Sequence, residues 1–141
     1  MSIERIMCKE VVSVEMDDPL RVVKEIFDHV PFHHLVVVDS NRKLCGVLTD
    51  RDLLKALSPT TGTASETDKD RAILKRKVHQ IMTREPVSIT PYTGIYEAVS
   101  LFNREGYSCI PVVNEVNKPI GMLSWRDIFM AIEKLHPPQP K

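Results

Sequence analysis

The chain has 141 residues, 43% of them apolar, and its 19 Lys plus Arg balance 19 Asp plus Glu to a formal net charge of zero. That supports a packed interior and offers none of the basic excess that holds nucleic acid. No apolar run approaches the roughly 20 residues of a membrane span, and Met1-Ser2-Ile3-Glu4-Arg5 lacks the apolar stretch of a signal peptide. Cys8, Cys45 and Cys109 are scattered and odd in number, with no metal-site spacing, so a reducing, cytoplasmic setting is expected. Cys45, among apolar neighbours, reads as a small core residue.

In chain order, Val11–Val14 is a short β-branched strand. Asp17-Asp18-Pro19 opens a helix, with Asp18 as cap and Pro19 at the first helical position. Leu20, Val23, Phe27 and Val30 recur at spacings of three and four and mark its inner face, and Pro31 ends it. Leu35–Val38 is a continuous apolar run, the pattern of a buried strand. Asp39-Ser40-Asn41-Arg42-Lys43 then turns the chain into a second strand over Leu44–Leu48. The helix after Thr49 carries Leu53, Leu54 and Leu57. Next comes a polar stretch, Ser58–Lys77. Pro59-Thr60-Thr61-Gly62-Thr63 is loop-like, and Thr67-Asp68-Lys69-Asp70 caps a short charged helix reaching Lys77. It reads as a solvated connector outside either core; the alternative is a flap holding Lys75, Arg76 or Lys77 near an anion.

The same order then returns. Val87–Ile89 is a strand, and a helix from about Thr93 turns Ile95, Val99 and Phe102 inward. Ile110–Val113 and Ile120–Leu123 form a hairpin, and Ile128, Ala131, Ile132 and Leu135 line the last helix. His136-Pro137-Pro138-Gln139-Pro140-Lys141 is expected to be extended or disordered. Residues 6–57 align with 81–132 at a constant offset of 75, without a gap, and fourteen of the 52 pairs are identical. Self-similarity at a fixed period marks a repeated supersecondary unit. The chain therefore reads as α/β, two repeated β-α-β-β-α units: 1–57, a linker over 58–77, 78–135, and a tail over 136–141.

One stretch stands out in both copies: Gly46-Val47-Leu48-Thr49-Asp50-Arg51-Asp52 and Gly121-Met122-Leu123-Ser124-Trp125-Arg126-Asp127. Each is a buried strand end turning straight into a helix. Thr49 and Ser124 fall at the N-cap, with Asp52 and Asp127 three residues on. A hydroxyl, a carboxylate and free backbone N–H groups gather there. Two readings stand: a capping pattern that needs no ligand, and a site for a small polar molecule.

Two further signatures accompany the turn. Each repeat opens on Ile-Met, in Ile6-Met7-Cys8 and Ile81-Met82-Thr83. Each has a strand of apolar-Pro-Val-Val-acid type: Ile110-Pro111-Val112-Val113-Asn114, and Leu35-Val36-Val37-Val38-Asp39 with Val36 in place of Pro. On these three signatures the chain, from about Ile3 to Leu135, resembles a tandem pair of CBS domains, a Bateman module.

The resemblance implies a regulatory binding module, not an enzyme, whose two repeats pack with pseudo-twofold symmetry and leave two clefts between them. It implies no required cofactor and an adenine nucleotide (AMP, ADP or ATP) as ligand. Asp52 and Asp127 would hold the ribose hydroxyls, since a carboxylate accepts two hydrogen bonds at once. Thr49 and Ser124 would lie near ribose and phosphate, beside helix N-termini that favour the anion. Apolar strand residues, Ile110 and Pro111 among them, would sandwich the base. His33 falls where some adenylate-sensing members face the phosphates, with His34 at the place of a following basic residue; repeat two has Ser108 and Cys109 there. The alternative is that both histidines are half-exposed residues opening the strand. Adjacent histidines rarely converge on one ion without a third ligand, so no metal site is expected. Arg51 and Arg126 would pair with phosphate or with Asp52 and Asp127. Trp125 would stack on a base or pack at a dimer surface, and packing is preferred.

The resemblance further implies a homodimer joined through the helical faces Leu53–Leu57 and Ile128–Leu135, reporting to an unknown effector protein. Other expectations are a sensor of S-adenosylmethionine or guanine nucleotides, or an interaction module with empty clefts. An enzyme is the weakest reading: the sequence has no Walker-type phosphate loop, activated nucleophile or metal cage.

Overall fold

The computed structural model describes residues 2–140. Its elements run α1 (Ile3–Ile6), β1 (Ser13–Glu15), α2 (Leu20–His29), β2 (His34–Val38), β3 (Leu44–Thr49), α3 (Asp50–Ala56), α4 (Asp68–Leu74), β4 (Thr83–Arg84), α5 (Ile95–Glu105), β5 (Cys109–Val113), β6 (Pro119–Ser124) and α6 (Trp125–Leu135). A single 3-10 turn, Val78–Gln80, precedes β4.

The chain forms two compact units, and they do not coincide with the sequence repeats. One is Val12–Pro86; the other joins Met1–Val11 to Val87–Lys141. The repeated hairpins explain why. A Cβ on Gly46 would meet Met82 Sδ at 2.7 Å and the Thr83 carbonyl at 3.1 Å; one on Gly121 would meet Met7 Sδ at 2.6 Å and the Cys8 carbonyl at 3.0 Å. Each Ile-Met segment thus packs on the hairpin of the other repeat, through a glycine whose missing side chain makes room. Cys8 exchanges backbone hydrogen bonds with Met122, and β4 pairs with β3 at Gly46 and Val47.

In the unit Val12–Pro86 the strands lie in the order β1-β2-β3-β4. β1 is parallel to β2, and the later pairs are antiparallel. Strand alternation sends Leu35 and Val37 into a core with Leu20, Val23, Leu48 and Leu53. The Asp39 turn is self-supported, its carboxylate accepting from the Asn41 and Lys43 N–H groups. Asp18 does not cap α2. The N-cap is Pro19, without a side-chain bond, and the Leu20 N–H donates instead to the Arg76 carbonyl at 2.8 Å. The Asp18 carboxylate turns back to accept from the Glu15 N–H at 2.8 Å.

In the other unit the core gathers Ile3, Met7, Ala98, Phe102, Leu123 and Ile128, with Ile89, Ile110 and Val112. The strand expected over Val87–Ile89 shrinks to one parallel bridge, Ile89 to Val112. Proline is the cause. The Val36 N–H donates to the Val12 carbonyl at 3.2 Å, whereas Pro111, at the matching position, has no N–H to offer Val87. α5 closes on Gly106 at φ 70, a left-handed cap suited to glycine. Of the apolar residues that line α6, Ile128 and Ala131 are buried, whereas Ile132 and Leu135 are 47% and 60% exposed; Leu54 on α3 is 69% exposed.

The linker is more than a solvated connector. Its helix is capped as expected, by Thr67 and Asp70, but ends at Leu74 rather than Lys77. Asp70 is buried at 3% exposure and accepts from the Thr60 hydroxyl as well as the Thr67 N–H. Those bonds, the Thr60 hydroxyl foremost, hold its carboxyl down to about 2. One carboxylate therefore ties the Ser58–Thr61 loop to α4, a burial that polar composition conceals.

Candidate functional site

β3 runs into α3 without a loop, and β6 into α6 likewise. Thr49 and Ser124 keep extended backbone while already serving as N-caps. The Thr49 Oγ accepts from the Asp52 N–H at 3.0 Å, and Asp52 Oδ2 accepts from the Thr49 N–H at 2.9 Å. In the second copy the Ser124 Oγ accepts from the Asp127 N–H at 3.3 Å, and Asp127 Oδ2 accepts from the Ser124 N–H at 2.9 Å. Both turns are complete capping boxes. Each box uses only one oxygen of its carboxylate. A small asymmetry follows: the Ser124 hydroxyl also lies 3.1 Å from Asp127 Oδ2, donating to it, a bond not seen at Thr49.

Register sets what faces each turn. His34 is the cross-strand partner of Thr49, and Cys109 of Ser124. The Asp50 N–H donates to the His33 carbonyl at 3.0 Å, as the Trp125 N–H does to the Ser108 carbonyl at 3.4 Å. That brings His33 Nδ1 to 2.7 Å from Asp50 Oδ2, in a pair open to solvent. His34 is half-buried. Burial lowers its pKa, reinforced by His33 and opposed by Asp50 and Asp52. Burial likewise pushes the Cys109 thiol up to about 12, with Asp127 and Cys8 adding to it. The first turn therefore carries imidazoles, and the second carries neutral small groups.

Asp50 is absent from the residues that the sequence singles out, because it holds a variable position of the motif. The clue is the hairpin itself, which returns Asp50 to the start of β2. Arg51 and Arg126 are exposed and make no ion pair with Asp52 or Asp127 among the described residues. Ile110 is fully buried in the core of its own unit, and Pro111 stands on the opposite face of β5, also buried. Trp125, at the start of α6, is 48% exposed. Among the described residues no group of His, Cys, Asp and Glu could hold a metal ion, and no helix is long and apolar enough to cross a membrane.

Known proteins resemble this chain in sequence and in fold. A CBS domain-containing protein of Dictyostelium discoideum is 28% identical over 138 residues, covering 98% of this chain and 95% of that protein. The chain spans 61% or less of other curated relatives that it matches. The CBS domain pair of protein MJ0100, solved with 5'-methylthioadenosine and S-adenosyl-L-methionine, matches at TM-score 0.78 and 20% identity, covering 96% of this chain and 98% of that one. CBSX2 in complex with AMP matches at TM-score 0.77 and 22% identity, covering 95% and 97%. These two likenesses establish a shared fold. The CBS-domain family model matches residues 3–59 and 78–134, so the chain belongs to the CBS-domain family and carries the domain as a tandem pair.

Proposed function

We propose that the chain is a regulatory module that binds an adenine nucleotide at the Thr49–Asp52 and Ser124–Asp127 turns and passes the bound state to an effector protein. The carrying observation is the capping geometry. Each box spends Oδ2 and leaves Oδ1 of a charged carboxylate outside it, at the start of a helix, twice in one chain. A ribose diol needs such an acceptor. The adenosine compounds bound by MJ0100 and CBSX2 support the choice of ligand. S-adenosylmethionine and guanine nucleotides are the competing ligands. One observation favours a second reading, an interaction module whose motifs serve only as caps: in both boxes the hydroxyl and one carboxylate oxygen already accept from backbone N–H groups of the chain itself.

Calorimetry with AMP, ATP, S-adenosylmethionine and GTP separates these readings. Asparagine can still accept from the cap N–H, so Asp52→Asn and Asp127→Asn keep the fold and lose at most roughly 0.5–2 kcal/mol of capping. For a nucleotide site each variant weakens one site by about ten- to a hundredfold and leaves the other unchanged. Adenine nucleotides binding both variants as they bind the parent would reduce the aspartates to caps. The readout surface is assigned to a homodimer. Phe129, Ile132 and Leu135 form an exposed stripe on α6, whereas Leu53 and Ile128 of the expected faces turn into their own cores. A twofold dimer is the commonest closed assembly. Light scattering at micromolar concentration is expected to give a dimer; a monomer removes this part.

A further inference from the structure

A second place in the unit Val12–Pro86 gathers positive charge, and none of the residues lining it belongs to a capping turn. A cavity of about 460 Å³ is lined by Pro19, Arg21, Glu66, Arg71, Leu74, Lys75 and Lys77. Its size falls in the range of small-molecule sites. Four cations line it against one carboxylate. Arg71 is already engaged, with Asp68 and, at 3.7 Å, with Glu66. Arg21, Lys75 and Lys77 form no ion pair among the described residues.

Backbone bonds fix this convergence. Leu20 N–H donates to the Arg76 carbonyl at 2.8 Å, Val78 N–H to the Asp18 carbonyl at 2.9 Å, and His79 N–H to the Met16 carbonyl at 3.0 Å. The segment after α4 is thus stitched to the start of α2, which brings Arg21, Lys75 and Lys77 to the lining of one cavity. Unneutralised like charges repel and raise the local concentration of a counter-anion. Two ammonium groups and a guanidinium suit adjacent phosphate groups, the lysines as point charges and the arginine as a fork. Arg76, in the middle of the basic run, is not part of the lining.

We propose that this cavity is a binding site for a polyphosphate chain, separate from the two capping turns and independent of the nucleotide reading made for them. The source is either an inorganic polyphosphate or the triphosphate of a nucleotide. The test is calorimetry with inorganic triphosphate at low salt, on the parent, Arg21→Gln, a Lys75→Gln/Lys77→Gln double variant, and Asp52→Asn and Asp127→Asn. The cations are exposed, and circular dichroism checks that the variants fold. The expected result is binding at one site, weakened at least about tenfold in Arg21→Gln and in the double variant, unchanged in the aspartate variants, and falling as salt rises. ATP binding at this site more tightly than inorganic triphosphate would identify a nucleotide as the source, and equal affinity the bare chain. Absence of binding to the parent, or unchanged affinity in the lysine variant, overturns the proposal. So does loss of triphosphate binding in an aspartate variant, which would place the phosphates at a capping turn.

Discussion

At the Thr49 turn the cross-strand residue is His34, and His33 binds Asp50 at 2.7 Å; at the Ser124 turn these places hold Cys109, Ser108 and Trp125. The backbone frame around them is the same. Both turns are closed capping boxes, both begin on a buried glycine under a methionine, and both hairpins shift register between the last two residues of their first strand. Duplication has kept what folds the turn and let the charge beside it diverge. One turn therefore faces an imidazole across the strand where its copy faces a thiol.

The largest effects should test whether the frames are equivalent. Met82→Ala and Met7→Ala each remove a buried side chain and should each cost about 2–5 kcal/mol. Gly46→Ala and Gly121→Ala should each cost about 1–3 kcal/mol, because the methionine can yield but the Thr83 and Cys8 carbonyls cannot move freely. Urea denaturation measures all four. Matched losses support equivalence; a large loss in one unit with none in the other breaks it.

The sheets differ at one bond, and exchanging a residue sharpens that difference. Val36→Pro removes the donor to the Val12 carbonyl and should cost about 1–3 kcal/mol, the penalty of an unsatisfied group. Pro111→Val restores an N–H opposite Val87 and should gain at most about 1 kcal/mol. Amide exchange is the direct readout: the backbone N–H that Pro111→Val introduces should be protected. Rapid exchange there would mean that more than proline separates the two sheets.

Much of this was legible in the chain. Continuous apolar runs gave the hairpin strands, apolar spacings of three and four gave the inner face of α2, and the capping pattern gave three of the helix starts. Pro111 could have been read further, since its missing N–H predicts the shortened ladder. Other features had no local signal. Met7 and Met82 sit in segments too short to show periodicity, so their packing on the other repeat's hairpin is invisible. Ile132 and Leu135 have spacing that looks alike whether a face covers its own core or remains open. Asp70 lies in a polar run whose composition hides its burial. At the site, Thr49, Asp52, Ser124 and Asp127 were fixed by spacing, whereas the His33–Asp50 pair depends on hairpin register seventeen residues apart.

The smallest expected effect is the one most specific to the imbalance between the turns. Burial lowers the His34 pKa below its ordinary 6.5. The unfolded chain therefore binds that proton more readily, so the stability contribution is complete above 6.5 and is lost as pH falls through 6.5 toward the folded value. A phosphate placed beside His34 would favour the imidazolium, so binding takes up a proton and strengthens as pH falls toward 6. Asp50 and Asp52 push in the same direction as the phosphate, and His33 opposes. At the other turn Cys109, raised to about 12, stays neutral throughout this range. AMP affinity should therefore rise by up to about fivefold between pH 8 and pH 6 at the Thr49 turn relative to the Ser124 turn, a partly exposed contact being worth up to about 1 kcal/mol. Asp127→Asn leaves the first turn to be measured, and Asp52→Asn the second. Using one nucleotide at both cancels its own titration. His34→Gln should abolish the difference. Equal pH profiles at the two turns would mean that His34 does not face the phosphate, and the divergence across the strand would then have no part in choosing the ligand.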